Sequence, residues 1–139
     1  SKIITQMRKK RLDTIFISDD GVKDDTFIKV AGKNAEGVYA TGPKDTSANP
    51  LSKAAIEAHK KAYNEDHGAF YENAYAAALA LLNAVDQAGS TDFAAVKKAL
   101  QTVDAATPLG DIRFDEQGDA VGVGFAMYQV RDGQYVEVK

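Results

Sequence analysis

The stretch Ile15 to Val22, IFISDDGV, ends an apolar run in two adjacent carboxylates and a glycine. A carboxylate in that position can serve as a general base, a metal ligand or the counter-ion of a bound ammonium group. Two acids that merely bound a turn with Gly21 are an equally ordinary outcome. Adjacent residues on an extended chain point opposite ways, so at most one of Asp19 and Asp20 faces a given ligand. A second stretch, Gly68 to Ala78, gathers Phe70, Tyr71 and Tyr75 at a helix start. Aromatic rings there line a cleft or cap a core, and core packing is the default.

Other chemistry is poorly served. His59 and His67 are the only histidines, and Glu65, Asp66 and His67 follow one another on a polar turn, where adjacent side chains seldom converge on one ion. No HExxH motif or Asp-rich calcium loop is present, so no metal site is expected. Ser18 lacks both a Gly-x-Ser-x-Gly elbow and a nearby histidine, which leaves no catalytic residue to assign. The run Gly118 to Gly124 has neither a Lys-Ser/Thr pair nor a following helix and is not a phosphate loop. Glu72 and Asn73 suit the dipole of a helix first turn and need no further role. A hydrolase built on Asp19 or Asp20 would want a partner base, nucleophile or metal set that the sequence does not supply.

Composition narrows the class. The chain has 139 residues, 45% hydrophobic and 27% charged, which is the balance of a folded globular protein. Its formal charge is -3, and the longest basic block is Arg8 to Arg11 at an expected helix end, where cations complement the dipole. Nucleic acid is therefore not an expected partner. Cysteine is absent, which excludes disulfides and thiolate chemistry but leaves the compartment open. The longest apolar stretch, Ala74 to Leu82, is too short to span a bilayer.

The elements that must position these residues follow from periodicity. Residues 2–10 carry Ile3, Ile4 and Met7 at helical spacing. Thr14 to Ile17 reads as a short buried strand stopped by Asp19-Asp20-Gly21, which places the acids at a strand's carboxyl edge. A helix over Asp25 to Ala31 and a strand over Gly37 to Thr41 complete a parallel α/β unit. Helices follow over 50–64, with Asn49 as N-cap before Pro50, over 69–88, closed by Gly89, and over 93–102, with Phe93, Val96 and Leu100 on one face. From Pro108 the period is two, giving a C-terminal β-meander with turns at Asp115 to Asp119 and Asp132-Gly133. Few strands are left to cover the apolar faces of many helices, which suggests a fragment.

The order of four motifs, IFISDDGV, AGKNAEGVYATGP, GAFYENAYAAALALLNAV and ATPLGDIRFDEQGDAVGVGFAMYQV, resembles the C-terminal part of the leucine/isoleucine/valine-binding family of type I periplasmic binding proteins. The resemblance covers essentially the whole chain. It implies an α/β fold forming part of a two-lobed clamp. Residues 1–41 and 108–139 would belong to the C-terminal lobe and 42–107 to a helical portion of the N-terminal lobe, with the remaining lobe segments missing from this chain. It implies a solute-binding component of an ABC transporter, without cofactor or chemical step. Such a component sits in the periplasm, or outside the cell on a lipid anchor, binds an amino acid, branched-chain ones among the candidates, between its lobes, and partners the transporter's membrane subunits. Relatives of this type also take amides, urea or aromatic acids, and a fragment that assembles with a partner chain is a further alternative. By the same resemblance Asp20 matches the acidic position that accepts the ligand's α-ammonium group. Phe70 matches an aromatic position that packs on the ligand. Asp19 stands where relatives commonly have Gly or Pro, and Tyr71 is a neighbour of the matched aromatic position.

Overall fold

Helix starts and stops are written into the chain by side chains that satisfy the backbone groups a helix leaves unpaired. The computed structural model describes residues 1–139. Its helices are α1 (Lys2–Lys9), α2 (Asp25–Ala31), α3 (Pro50–Tyr63), α4 (Tyr71–Ala88) and α5 (Phe93–Leu100). Its strands are β1 (Ile17–Ser18), β2 (Tyr39–Pro43), β3 (Ala105–Thr107), β4 (Gly110–Phe114), β5 (Ala120–Val121), β6 (Phe125–Arg131) and β7 (Gln134–Glu137). They form two units, Ser1–Lys44 with Gly124–Lys139, and Asp45–Val123.

The first unit is built on a four-stranded sheet of order β1-β2-β6-β7. β1 and β2 are parallel, as a strand, helix, strand order requires, and the pairs β2/β6 and β6/β7 are antiparallel. The connecting helix α2 is capped by Asp24, whose carboxylate accepts the Thr26 N–H at 2.7 Å; hydrogen bonding from the Thr26 side chain, and then from this N–H, holds the Asp24 carboxyl below its usual range. One face of the sheet is covered: Ile4, Phe27, Ala31, Ala35, Val38 and Val130 form a buried cluster. On the opposite face the register aligns Ile17, Tyr39, Gln129 and Val136, and Ile17 and Val136 are exposed.

The second unit packs α3, α4 and α5 with the sheet β3-β4-β5. Ala76, Ala80 and Ala84 recur every four residues and are buried, so α4 presents a smooth stripe that lets neighbours approach closely. Ala84 joins Val96 and Ala99 of α5 in one cluster. Asn49 does double duty: its Oδ1 accepts the Leu51 N–H at 2.9 Å, while its Nδ2 donates to the carbonyls of Thr107 and Pro108 at 2.9 Å each. Thr107 is fully buried because its hydroxyl is paired, donating to the Gly110 carbonyl at 2.7 Å and accepting from Leu109 N–H at 3.1 Å.

Several expectations are corrected. The first strand is Ile17–Ser18 and not Thr14 to Ile17, and it is not buried: Ile15 is 73% exposed and Ile17 62%. The strand lies at the sheet's edge with β2 as its one neighbour, so its apolar composition does not translate into burial. The second strand starts at Tyr39, because Gly37 takes φ 79° in the preceding turn, and it runs through Gly42 and Pro43, which pair with Ala126 and Phe125. Phe93 is 80% exposed at the start of α5, whose buried stripe runs through Val96 and Ala99. The tail beyond Pro108 is β-structure as expected, but its strands serve two sheets, β4 and β5 in one and β6 and β7 in the other. The two compact units meet at Lys44/Asp45 and at Val123/Gly124.

Candidate functional site

The two acids that the sequence places at a strand end straddle the start of a tight 3-10 turn, Asp20–Val22, which begins two residues after β1. Asp19 precedes the turn in extended conformation and is exposed; Asp20 is the first residue of the turn and is half-buried. The turn sits at the carboxyl end of the parallel pair β1/β2, the edge where open α/β sheets place ligands. Two aromatic residues of the sheet contact this segment. The hydroxyl of Tyr135 donates to the Val22 carbonyl, and burial pushes the Tyr135 phenol up to about 12. The Lys23 ammonium lies 4.2 Å from the centroid of the Tyr128 ring, a cation–π contact. Tyr128 is itself buried, with its hydroxyl donating to the Pro43 carbonyl at 2.6 Å.

Lys23 reaches Tyr128 by crossing β2 at Gly42. A Cβ on Gly42 would come within 2.2 Å of the lysine Cδ. Gly42 has no left-handed φ, so space for the lysine stem, and not backbone freedom, is what its lack of a side chain supplies. The lysine–carboxylate pair of the chain lies elsewhere, at Lys60–Asp66, and His67 Nδ1 lies 3.9 Å from Glu72. Asp20 is thus half-buried, at the carboxyl edge of the parallel pair, and in none of these pairs.

Phe70 and Tyr71 belong to the second unit. Phe70 occupies the N-cap position of α4 and is 40% exposed. Tyr71 turns into its own unit: its hydroxyl donates to the Ala55 carbonyl at 2.9 Å, and its ring lies 4.9 Å from His59, 5.4 Å from His67 and 6.0 Å from Tyr75. Desolvation raises the Tyr71 phenol pKa, with the neighbouring Tyr75 adding to it. His59 completes this cluster against Tyr63 at 4.9 Å, its Nε2 buried without a hydrogen-bond partner. Glu72, read from sequence as a dipole residue, also faces hydroxyls: Ser52 at 3.4 Å and Thr46 at 3.5 Å.

Sequence reasoning missed Lys23, Gly42, Tyr128 and Tyr135 as the surroundings of Asp20. One signal was available: in a 3-10 turn residues three apart eclipse, so Asp20 and Lys23 share a face. The tyrosines come from β6 and β7, more than a hundred residues on, and no local pattern points to them.

The architecture is that of type I periplasmic binding proteins. A leucine-binding protein from Thermotoga maritima superposes with a TM-score of 0.82 and 26% identity, covering 99% of this chain and 40% of that one. The family model for periplasmic binding proteins matches residues 1–134, and the chain belongs to that family. Among curated relatives, the leucine-, isoleucine-, valine-, threonine- and alanine-binding protein of Pseudomonas aeruginosa is 32% identical over 138 residues, which are 99% of this chain and 37% of the relative. The Leu/Ile/Val-binding protein of Escherichia coli is 32% identical over 127 residues, 91% of this chain and 34% of the relative. A Streptococcus pneumoniae branched-chain amino acid transporter substrate-binding protein, solved in complex with isoleucine, shares the fold at a TM-score of 0.78 and 23% identity, across 99% of this chain and 41% of that one. The chain thus spans well under half the length of the proteins it matches. These matches give the family and the share of its length; they do not assign the chain to the C-terminal part of that length, as the motif order had suggested.

Proposed function

We propose that this chain is part of a solute-binding protein that captures an amino acid, with branched-chain amino acids among its candidate ligands, and delivers it to the membrane subunits of an ABC transporter, in the periplasm or on a lipid anchor outside the cell. Asp20 accepts the ligand's α-ammonium group, and Phe70 offers exposed ring surface to its carbon skeleton. Residues 1–41 and 108–139 then belong to the C-terminal lobe and residues 42–107 to a helical portion of the N-terminal lobe. The observation that carries this reading is the Asp20 carboxylate itself, half-buried at the carboxyl edge of β1 and β2 and left unpaired by the chain's own cations. A charge-assisted hydrogen bond from an ammonium to such a group is strong and directional. The printed names of the relatives, binding proteins for leucine, isoleucine and valine, support the ligand class. Asp19, exposed and ahead of the turn, and Tyr71, whose hydroxyl is spent on Ala55, are secondary candidates: Asp19 for the rim, Tyr71 for support of Phe70.

Calorimetric titration of the full-length natural protein with leucine, isoleucine and valine tests the reading. The Asp20→Ala variant should lose binding to all three while keeping its melting temperature in the absence of ligand. Unchanged affinity in that variant would sink the assignment.

A further inference from the structure

We infer that Gly42 and Tyr128 form a parking place for Lys23 that keeps this lysine from occupying Asp20, so that the carboxylate stays open to an external ammonium. The inference rests on the reading of Asp20 as the ammonium acceptor.

Lys23 is the nearest cation in sequence to Asp20, and the two are joined by the 3-10 turn, with the Lys23 N–H donating to the Asp20 carbonyl at 3.1 Å. Residues three apart on such a turn lie above one another, and a lysine stem is long enough to fold back onto a carboxylate on the same face. A primary ammonium held there would be chemically the same as the amine of the ligand and would compete with it at high effective concentration. The structure shows Lys23 elsewhere. Its stem crosses β2 at the one position without a side chain, Gly42, where a Cβ would stand 2.2 Å from Cδ, and its Nζ lies over the Tyr128 ring at 4.2 Å. Tyr128 in turn is held by its bond to Pro43 of the same strand. Gly42 is therefore a specificity position that never touches the ligand: adding one methyl group evicts a flexible side chain without moving backbone. The evicted ammonium is then free to fold back onto Asp20, three residues before it.

The test uses leucine and its des-amino analogue, 4-methylpentanoate, titrated calorimetrically into the full-length natural protein. Gly42→Ala should weaken leucine binding about tenfold or more and should not weaken binding of the analogue, which brings no ammonium to compete with Lys23. Adding Lys23→Met to Gly42→Ala should restore leucine affinity to within a few fold of the natural protein. Lys23→Met alone should bind leucine as tightly as the natural protein or more tightly. The inference is overturned if Gly42→Ala binds leucine normally, or if the double variant is no better than Gly42→Ala. A tenfold loss in Lys23→Met alone overturns it as well, and that measurement decides the matter even if Gly42→Ala does not fold. Failure of the underlying reading has a different signature, unchanged leucine affinity in Asp20→Ala.

Discussion

At the scale of single residues, the 3-10 turn that carries Asp20 depends on groups that no local pattern announces. Tyr135 is the clearest case, a half-buried phenol whose hydroxyl donates to the Val22 carbonyl. Its folded pKa is raised from 10.0 to about 12, chiefly by burial. A group with a raised folded pKa contributes stability that is fully present below its unfolded pKa and lost as pH climbs through the folded value. Tyr135 should therefore ionise well above the ordinary tyrosine range in a spectrophotometric titration, with stability falling between about pH 10 and pH 12. Tyr135→Phe should cost about 1 kcal/mol in denaturant unfolding and abolish that high-pH phase, a modest loss because one hydrogen bond is removed. Asp20 could be found from sequence because strand, acids and glycine are adjacent. The tyrosines and the glycine around it could not, since their roles depend on which strand lies beside which.

Among the elements, caps and stripes were legible and strand limits were not. Asn49 before Pro50 announces α3, and the structure bears this out. It adds what the sequence cannot show, that the same side chain donates to Thr107 and Pro108 some sixty residues away. Loss of an N-cap alone costs about 1 kcal/mol. Asn49→Ala should exceed that, at about 2–4 kcal/mol, because two carbonyls lose their donor together. Asn49→Asp, which keeps the cap and loses the amide, should fall between natural protein and alanine variant. Equal losses for Ala and Asp in thermal unfolding would mean that the cap contributes nothing beside the carbonyl bonds. The helix α2 matched its expected limits because Asp24 and Gly32 terminate it locally. β1 and β2 were displaced by two or three residues because a strand ends where its partner ends, and the partner is remote in sequence.

For the whole molecule, each unit keeps its own core. That of the first gathers Ile4 from α1, Phe27 and Ala31 from α2, and Val38 and Val130 from beside and within the sheet. Ile4 is fully buried, so Ile4→Ala should destabilise the chain by about 2–5 kcal/mol, the transfer cost plus that of the cavity left behind. Hydrogen exchange should quicken in α1, α2, β2 and β6; protection unchanged in β6 would contradict the placement of Ile4 in that core.

The sequence by itself determined the helices, the α/β class, the position of Asp20 at a strand's carboxyl edge and, through the order of its motifs, the periplasmic binding protein family. Those properties rest on local chemistry: side-chain period, caps, and glycines at turns. Only the tertiary structure decided which tail strands serve which sheet, where the chain passes from one unit to the other, and that β1 is an exposed edge. It also decided that Lys23 lies over Tyr128 across Gly42 and leaves Asp20 unpaired. Those outcomes turn on pairings between segments far apart in the chain, and an apolar or charged residue carries no mark of which distant partner it will meet.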